Sequence, residues 1–354
     1  MLSHNRDRVD NCPSRLPREQ EIHGAAWYSC QMRLSLTISF LLATAFLPSA
    51  QAIIVSDLTP GSPNSARYNA GSYSGVVRVN LGGNGLCTGS LFGPQSIYVL
   101  TAAHCVAGLS APYTNYNVAF DTPSLTASLD NFAAVFIAPG YLGTSNGFAN
   151  DLAVIRLMNP APADATSYSL NTGANDLGRE VLLVGQGISG NGQGTDIYPA
   201  SESRSNRRKG LNDYDQVVVG DSSHILWDFD NGTTLNNAFS NSSLGRGLDE
   251  VTIAGGDSGG PSFDFTTGLI VGVHSYVTCF SIGNSCSSPP DYSSTTDGPH
   301  GLFGEIGADT RVSQFNSFLA PFTTSAPEPA TWAMMGAGCL ALIGAARRRS
   351  KTRS

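Results

Sequence analysis

Charge is what this sequence most lacks. Only 13% of its 354 residues are Asp, Glu, Lys or Arg, about half the ~25% of an ordinary soluble domain. That excludes coiled coils, long charged surface helices and charge-driven disorder. Positive charge is scarcest: 20 Lys and Arg face 27 Asp and Glu, a net charge of −7. A phosphate backbone would find no basic footprint, which excludes nucleic-acid binding as a main role. No internal repeat is apparent, and long apolar runs are confined to the two ends. What the chain has in excess is turn formers, 39 Gly and 19 Pro, the mark of short strands joined by many turns.

The ends read as targeting segments. Met32-Arg33 precedes an apolar run from Leu34 to Leu47 and then Pro48-Ser49-Ala50-Gln51-Ala52. A charged start, an apolar stretch and small residues at Ala50 and Ala52 predict a signal peptide over 32–52, cut by signal peptidase after Ala52. Residues 1–31 are polar and aperiodic, and the expectation is that translation begins at Met32. At the other end a linker with Pro327-Glu328-Pro329 (323–329) leads to an uncharged, mostly apolar segment, 330–346, and a basic tail, 347–354, containing Arg347-Arg348-Arg349. Seventeen residues lie at the lower edge of what can span a bilayer as a helix. The basic cluster would hold its far end in the cytoplasm. These parts in this order resemble the bacterial PEP-CTERM sorting signal. The resemblance implies an exosortase-type processing enzyme as partner, transient membrane anchoring, and delivery to the cell surface or extracellular matrix of a Gram-negative-type bacterium. A plain membrane anchor is the alternative.

Between Ile53 and Ser325 there are 10 basic against 22 acidic residues, a net charge of −12. Four of the seven cysteines fall here: Cys87, Cys105, Cys279 and Cys286. An even number in an exported domain reads as disulfides. Three connectivities are open, and the local pairs Cys87–Cys105 and Cys279–Cys286 are favoured because each joins nearby segments. Apolar runs at 76–79, 97–100, 133–138, 152–157, 181–184, 216–219 and 269–276 predict strands. Val312, Phe315, Phe318, Leu319 and Phe322 recur at helical spacing and predict one closing helix. The class is all-β, with a barrel architecture.

Three segments carry chemistry: Thr101-Ala102-Ala103-His104-Cys105, Asn150-Asp151-Leu152, and Gly255-Gly256-Asp257-Ser258-Gly259-Gly260-Pro261. A serine hydroxyl is a weak nucleophile until a base takes its proton. Histidine serves best when a buried carboxylate orients its far nitrogen. Glycines beside the serine let the backbone turn and aim amides at a developing oxyanion.

In this order the segments resemble the chymotrypsin/trypsin-like serine peptidases, from about Val76 to Phe322. Cys87 through Cys105 resembles the family's first disulfide loop. Gly185-Gln186-Gly187 resembles its Gly-Trp-Gly turn, Gly272 to Tyr276 its substrate-pairing strand, and Gly307 to Val312 the strand before its terminal helix. The resemblance implies a double six-stranded β-barrel with a C-terminal helix over 53–322, and a serine endopeptidase acting on protein or peptide substrates with no cofactor and no metal. It implies His104 as base, Asp151 as orienting acid, Ser258 as nucleophile, and the amides of Gly256 and Ser258 as the oxyanion hole. In the family a freed amino terminus pairs with the acid before the serine. Signal-peptide removal would expose Ile53 for Asp257 and itself activate the enzyme.

Substrate-pocket positions depart from the pattern. Thr252 stands where trypsin-like members carry an acid, Ala254 replaces a cysteine, and Val277 replaces a glycine. Ser275, Tyr276 and Val277 are expected to line the substrate site. Asp309 is expected either to read a basic side chain or to be a solvated strand-end acid.

Other readings are weaker. Gly256-x-Ser258-x-Gly260 also fits the α/β-hydrolase elbow, but that fold places its histidine after the serine and acid. A silent surface binding module would be expected to have lost the serine or histidine. His224 reads as a solvated or capping residue, His274 as a core histidine, and Arg204 to Lys209 as an exposed loop. Asp228-Phe229-Asp230-Asn231-Gly232 suggests a calcium loop, but Phe239 occupies position twelve, so a turn is expected.

Overall fold

The computed structural model describes residues 53–121, 128–193, 207–234, 236–239, 243–279 and 301–324. The expected signal peptide, apolar segment and tail, and the linker beyond residue 324, with Cys286 and the side chain of Cys279, lie outside them; Thr323, expected in the linker, ends the closing helix. Among the described residues no helix is long and apolar enough to cross a membrane.

The first half contains β1 (Ile53–Val55), β2 (Val76–Asn80), β3 (Leu86–Phe92), β4 (Tyr98–Thr101), α1 (Ala103–Val106), β5 (Asn117–Phe120), β6 (Ser128–Ile137) and β7 (Ala153–Leu157). Six of these close a barrel in the order β2-β3-β4-β7-β6-β5, antiparallel throughout. Its strands are β-branched and apolar: Val77, Val79, Leu91, Val99, Val118 and Ile155 are fully buried, each contributing ~1.5–3 kcal/mol.

The second half adds β8 (Glu180–Gly185), β9 (Ser189–Asn191), β10 (Arg208–Asp213), β11 (Gln216–Val217), β12 (His224–Asp228), β13 (Val251–Thr252), β14 (Pro261–Asp264), β15 (Ile270–Cys279), β16 (Glu305–Arg311) and α2 (Asn316–Thr323). The second half forms the half-barrel of the expected trypsin-like fold, a seven-stranded sheet in the order β10-β8-β14-β15-β16-β12-β11. The seam between β10 and β12 is bridged by a side chain instead of a backbone ladder. Asn212 Nδ2 donates to the carbonyls of Asp228 and Val251, both at 2.9 Å. Tyr214, Ile225, Trp227, Val251 and Val271 fill the core behind it.

Strand β1 lies between β13 and β9 in a small third sheet, with all three of its residues buried. The closing helix follows a 3-10 turn over Val312–Phe315. It returns to the first barrel, where Phe322 packs on Tyr98 and Phe136, each at 5.1 Å between ring centres.

Candidate active site

His104 sits in α1, directly after β4; Asp151 is the residue before β7; Ser258 lies in the turn before β14. The strands thus deliver all three from their ends, where side chains are free of the ladder.

Asp151 is fully buried and saturated with donors. Its Oδ1 accepts the His104 amide at 2.8 Å, and its Oδ2 lies 2.7 Å from His104 Nδ1 and accepts the Ser275 hydroxyl at 2.5 Å. Burial opposes ionisation, but the His104 charge and these hydrogen bonds outweigh it and hold the carboxyl below the usual carboxylate range. Thr310 Oγ1 fixes the Asp151 carbonyl at 2.9 Å. The pair His104–Asp151 therefore comes together as expected. Ser275 faces the acid with its side chain, and its expected place in the substrate site is left to its backbone.

The serine turn is pinned from several sides. The Ser258 carbonyl accepts the Thr88 amide at 2.8 Å, and Thr88 Oγ1 donates to the Gly256 carbonyl at 2.8 Å. Gly259 has φ +82°, and a Cβ there would lie 2.1 Å from Thr101 Oγ1, so only glycine fits. The amides of Gly256 and Ser258 have no hydrogen-bond partner among the described residues. Thr88, which sequence reasoning passed over, ties β3 to this turn; its place beside Cys87 was the available signal.

Asp257 is fully buried. Its Oδ1 accepts the Gly187 amide at 2.7 Å; its Oδ2 accepts those of Ala254 at 2.9 Å and Ile53 at 3.3 Å. Burial, only partly offset by these donors and by His274, pushes the carboxyl up to about 6. The Gly185-Gln186-Gly187 turn has its reason here, since a Cβ at Gly185 would meet Asp257 Oδ1 at 2.0 Å. Ile53 and Asp257, paired in the sequence reading through a freed amino terminus, meet here through a backbone hydrogen bond.

Cys87 and Cys105 are bonded, 18 residues apart, with Cys105 Sγ 3.7 Å from His104 Nε2. The donor atoms of Cys87, His104 and Cys105 converge within 4.8 Å, but sulfurs bound to each other are not thiolate ligands. Phe148, unforeseen from sequence, packs edge-on against His104 at 5.7 Å. It and Asn150 have φ of 63° and 62°, a conformation uncommon for Asn and strained for Phe.

Four sequence readings are corrected. Asp309 is fully buried; its Oδ1 lies 2.8 Å from His274 Nδ1, and its Oδ2 accepts the Tyr214 hydroxyl at 2.5 Å. It is neither solvated nor turned to a substrate side chain. His224 is fully buried rather than solvated, with Nδ1 2.7 Å from Asp221 Oδ2 and Tyr276 against its ring at 5.2 Å. Arg207 and Arg208, read as exposed, are buried because backbone carbonyls of Asp121 (3.1 Å) and Pro63 (2.8 Å) receive them. Thr252 is fully buried in the β1–β13 pairing; Tyr276 and Val277 remain partly exposed. His274 is a core histidine, as expected.

A closed antiparallel barrel, a second β-sheet and a nucleophile-type turn beside a His–Asp pair form the framework of a two-barrel serine peptidase. Comparison with known proteins places it further. The Trypsin family profile matches residues 63–294, and the chain belongs to that family. The PEP-CTERM protein-sorting motif matches residues 325–350. The protein is thus a trypsin-like serine protease domain followed by a PEP-CTERM sorting motif, which implies export and cell-surface sorting in bacteria. No curated protein sequence matches significantly. Among solved structures, neuropsin, a serine protease expressed in the limbic system of mouse brain, is similar at 18% identity and a TM-score of 0.48, over 71% of this chain and 94% of that one.

Proposed function

We propose that this protein is an exported serine endopeptidase that works through an acyl-enzyme. The observation that carries the reading is the His104 Nδ1–Asp151 Oδ2 contact of 2.7 Å, made to a buried carboxylate held in its ionised form. Asp151 keeps the imidazole proton on Nδ1, leaving Nε2 as base. Ser258 Oγ gives its proton to Nε2 and bonds to the peptide carbonyl carbon, while the carbonyl electron pair moves onto oxygen. The amides of Gly256 and Ser258 stabilise that oxyanion, each donor contributing on the order of 10²–10³ in rate. When the tetrahedral intermediate collapses, the C–N bond breaks and the amine leaves with the proton from Nε2. Water, deprotonated by the same nitrogen, then releases the acyl group.

Activation follows from β1. Ile53 has φ 71°, an outlier for a β-branched residue, while the chain continues to Ala52. Cleavage after Ala52 removes the atom that defines this torsion and supplies an ammonium 3.3 Å from Asp257 Oδ2. Export processing by signal peptidase thus switches the enzyme on, and an exosortase-type enzyme acts at the other end. The test is labelling of the exported protein with a fluorophosphonate. Labelling of wild type, lost in Ser258→Ala, is expected. A folded wild type beginning at Ile53 that does not label would instead favour a binding module on a protease fold.

A further inference from the structure

On the reading of His104 and Asp151 as a catalytic pair, we propose that Ser223 and Asp221 are positioning residues for the acid: together they lock the backbone of Asn150 and so aim the Asp151 carboxylate at His104. The loop that enters β7 holds two left-handed residues just before the acid, with φ 63° at Phe148 and 62° at Asn150. Conformations of this kind persist only where the surroundings over-determine them. At Asn150 the constraint comes from a turn remote in the chain, ahead of β12. The Asn150 amide donates to Ser223 Oγ at 3.0 Å, across 73 residues. Ser223 is buried, and its carbonyl accepts the Arg311 amide at 2.8 Å, which ties the turn to the end of β16. One residue earlier on β16, Thr310 Oγ1 holds the Asp151 carbonyl. The dipeptide Asn150-Asp151 is thus gripped at its first nitrogen and its last oxygen by the second half of the chain.

A serine hydroxyl can donate or accept, and the turn decides which. Asp221 Oδ1 accepts both the Ser223 amide at 2.9 Å and the Ser223 hydroxyl at 2.5 Å; its Oδ2 lies 2.7 Å from His224 Nδ1. Burial opposes ionisation of Asp221, but hydrogen bonds from His224 and Ser223 outweigh it and hold the carboxyl down to about 2. An ionised carboxylate only accepts. It therefore commits the Ser223 proton and leaves the Oγ lone pairs to the Asn150 amide. Without that acceptor Asn150 can relax toward ordinary φ, and the side chain of the next residue swings with it. The Asp151 carboxylate meets His104 at two points, 2.8 Å and 2.7 Å, so a small rotation lengthens both. A displacement of about 1 Å costs on the order of 10² in rate.

The experiment compares Ser223→Ala with Ser74→Ala in the exported protein beginning at Ile53. Ser74 is a buried serine of the same kind: its Oγ accepts the Thr166 amide at 3.0 Å, and its partners, Asp164 and Thr166, are no part of the site. Both variants should lose similar amounts of Tm, and fluorophosphonate inactivation then separates them. Ser223→Ala should lose about 10–10²-fold in the maximal inactivation rate, with little change in the half-saturating concentration. Its His104 Nδ1 proton resonance should move upfield as the hydrogen bond to Asp151 lengthens. Ser74→Ala should keep both at wild-type values, and Ser223→Thr, which retains the hydroxyl, should recover most of the rate. Asp221→Ala, which frees the Ser223 proton, should show a loss of the same kind and takes the place of Ser223→Ala if circular dichroism finds that variant unfolded. The proposal is overturned if the folded variant inactivates within about twofold of Ser74→Ala with an unmoved His104 resonance, or if its loss lies wholly in the half-saturating concentration. A wild type that does not label counts against the peptidase reading instead. The His104 resonance then decides the matter of the brace alone: moved in Ser223→Ala it supports the role of Ser223, and unmoved it refutes it.

Discussion

Replacing Asp151 by Asn exchanges one carboxylate oxygen for an NH₂ group and should nearly abolish activity. The carboxylate accepts three donors: the His104 amide on Oδ1, and His104 Nδ1 and the Ser275 hydroxyl on Oδ2. An amide side chain has one acceptor oxygen and one donor nitrogen, so it cannot satisfy all three. The His104 backbone N–H cannot turn away, which fixes the amide oxygen at the Oδ1 position and places the NH₂ at Oδ2. Ser275 can rotate its hydroxyl to accept. The imidazole can adapt only by moving its proton from Nδ1 to Nε2, and the nitrogen meant to deprotonate Ser258 becomes a donor. A forced tautomer of this kind costs on the order of 10⁴ in rate, about 5.4 kcal/mol of transition-state stabilisation.

The assay is the second-order rate constant for fluorophosphonate labelling of Ser258, which needs no knowledge of the natural substrate. Ser275→Ala is the calibrating variant. It removes one donor to the carboxylate, worth ~1.5–3 kcal/mol, but leaves the tautomer intact, so its rate should fall far less. Folding is checked by circular dichroism, and the imidazole proton is located by nitrogen NMR. A fall below tenfold in well-folded Asp151→Asn, or a proton still on Nδ1, would refute the assignment of His104 and Asp151.

Other consequences can be measured independently. Extending the mature amino terminus by two residues before Ile53 should sharply reduce labelling, because the Asp257 contact at 3.3 Å would be met by an amide instead of an ammonium; full labelling of a verified extended form counts against activation by export. Asp309→Asn should lower stability by about 1–3 kcal/mol by mismatching His274 and Tyr214, with equal kcat/KM losses on basic and neutral substrates; a loss selective for Arg or Lys would restore a substrate role. Reducing the Cys87–Cys105 bond, which closes an 18-residue separation, should cost roughly 3 kcal/mol in denaturant melts, and an unchanged midpoint would contradict this. Burial pushes Asp215 up to about 8 and Asp230 and Glu305 up to about 7. Their folded forms favour the proton, so the stability they contribute is complete below the unfolded carboxylate range and is lost as pH rises toward 8. Tm should fall between pH 5 and 8, and a rise over that interval would be the opposite of what these groups dictate.

The candidate site was legible because its chemistry is local in the sequence. His104 follows an apolar strand, Asp151 precedes one, and Ser258 is flanked by glycines whose close approaches admit nothing larger, as the 2.1 Å clearance at Gly259 illustrates. Strands such as β2, β4 and β7, runs rich in β-branched and apolar residues, announced themselves in the same way. What stayed hidden were polar residues buried by partners remote in the chain. Arg208 reaches the carbonyl of Pro63 across 145 residues, and Tyr214 reaches Asp309 across 95. Before folding, neither residue differs from a surface arginine or a half-exposed tyrosine, and for that reason β10 was missed and Asp309 misread. The seam of the second half-barrel was hidden in the same way, since Asn212 occupies it and its amide links carbonyls 16 and 39 residues away. His224 is different: its partner Asp221 is three residues distant, so the spacing was there to be read. Its burial depended on Tyr276, more distant along the chain, and burial is what separates a histidine paired in the core from one capping a strand in water.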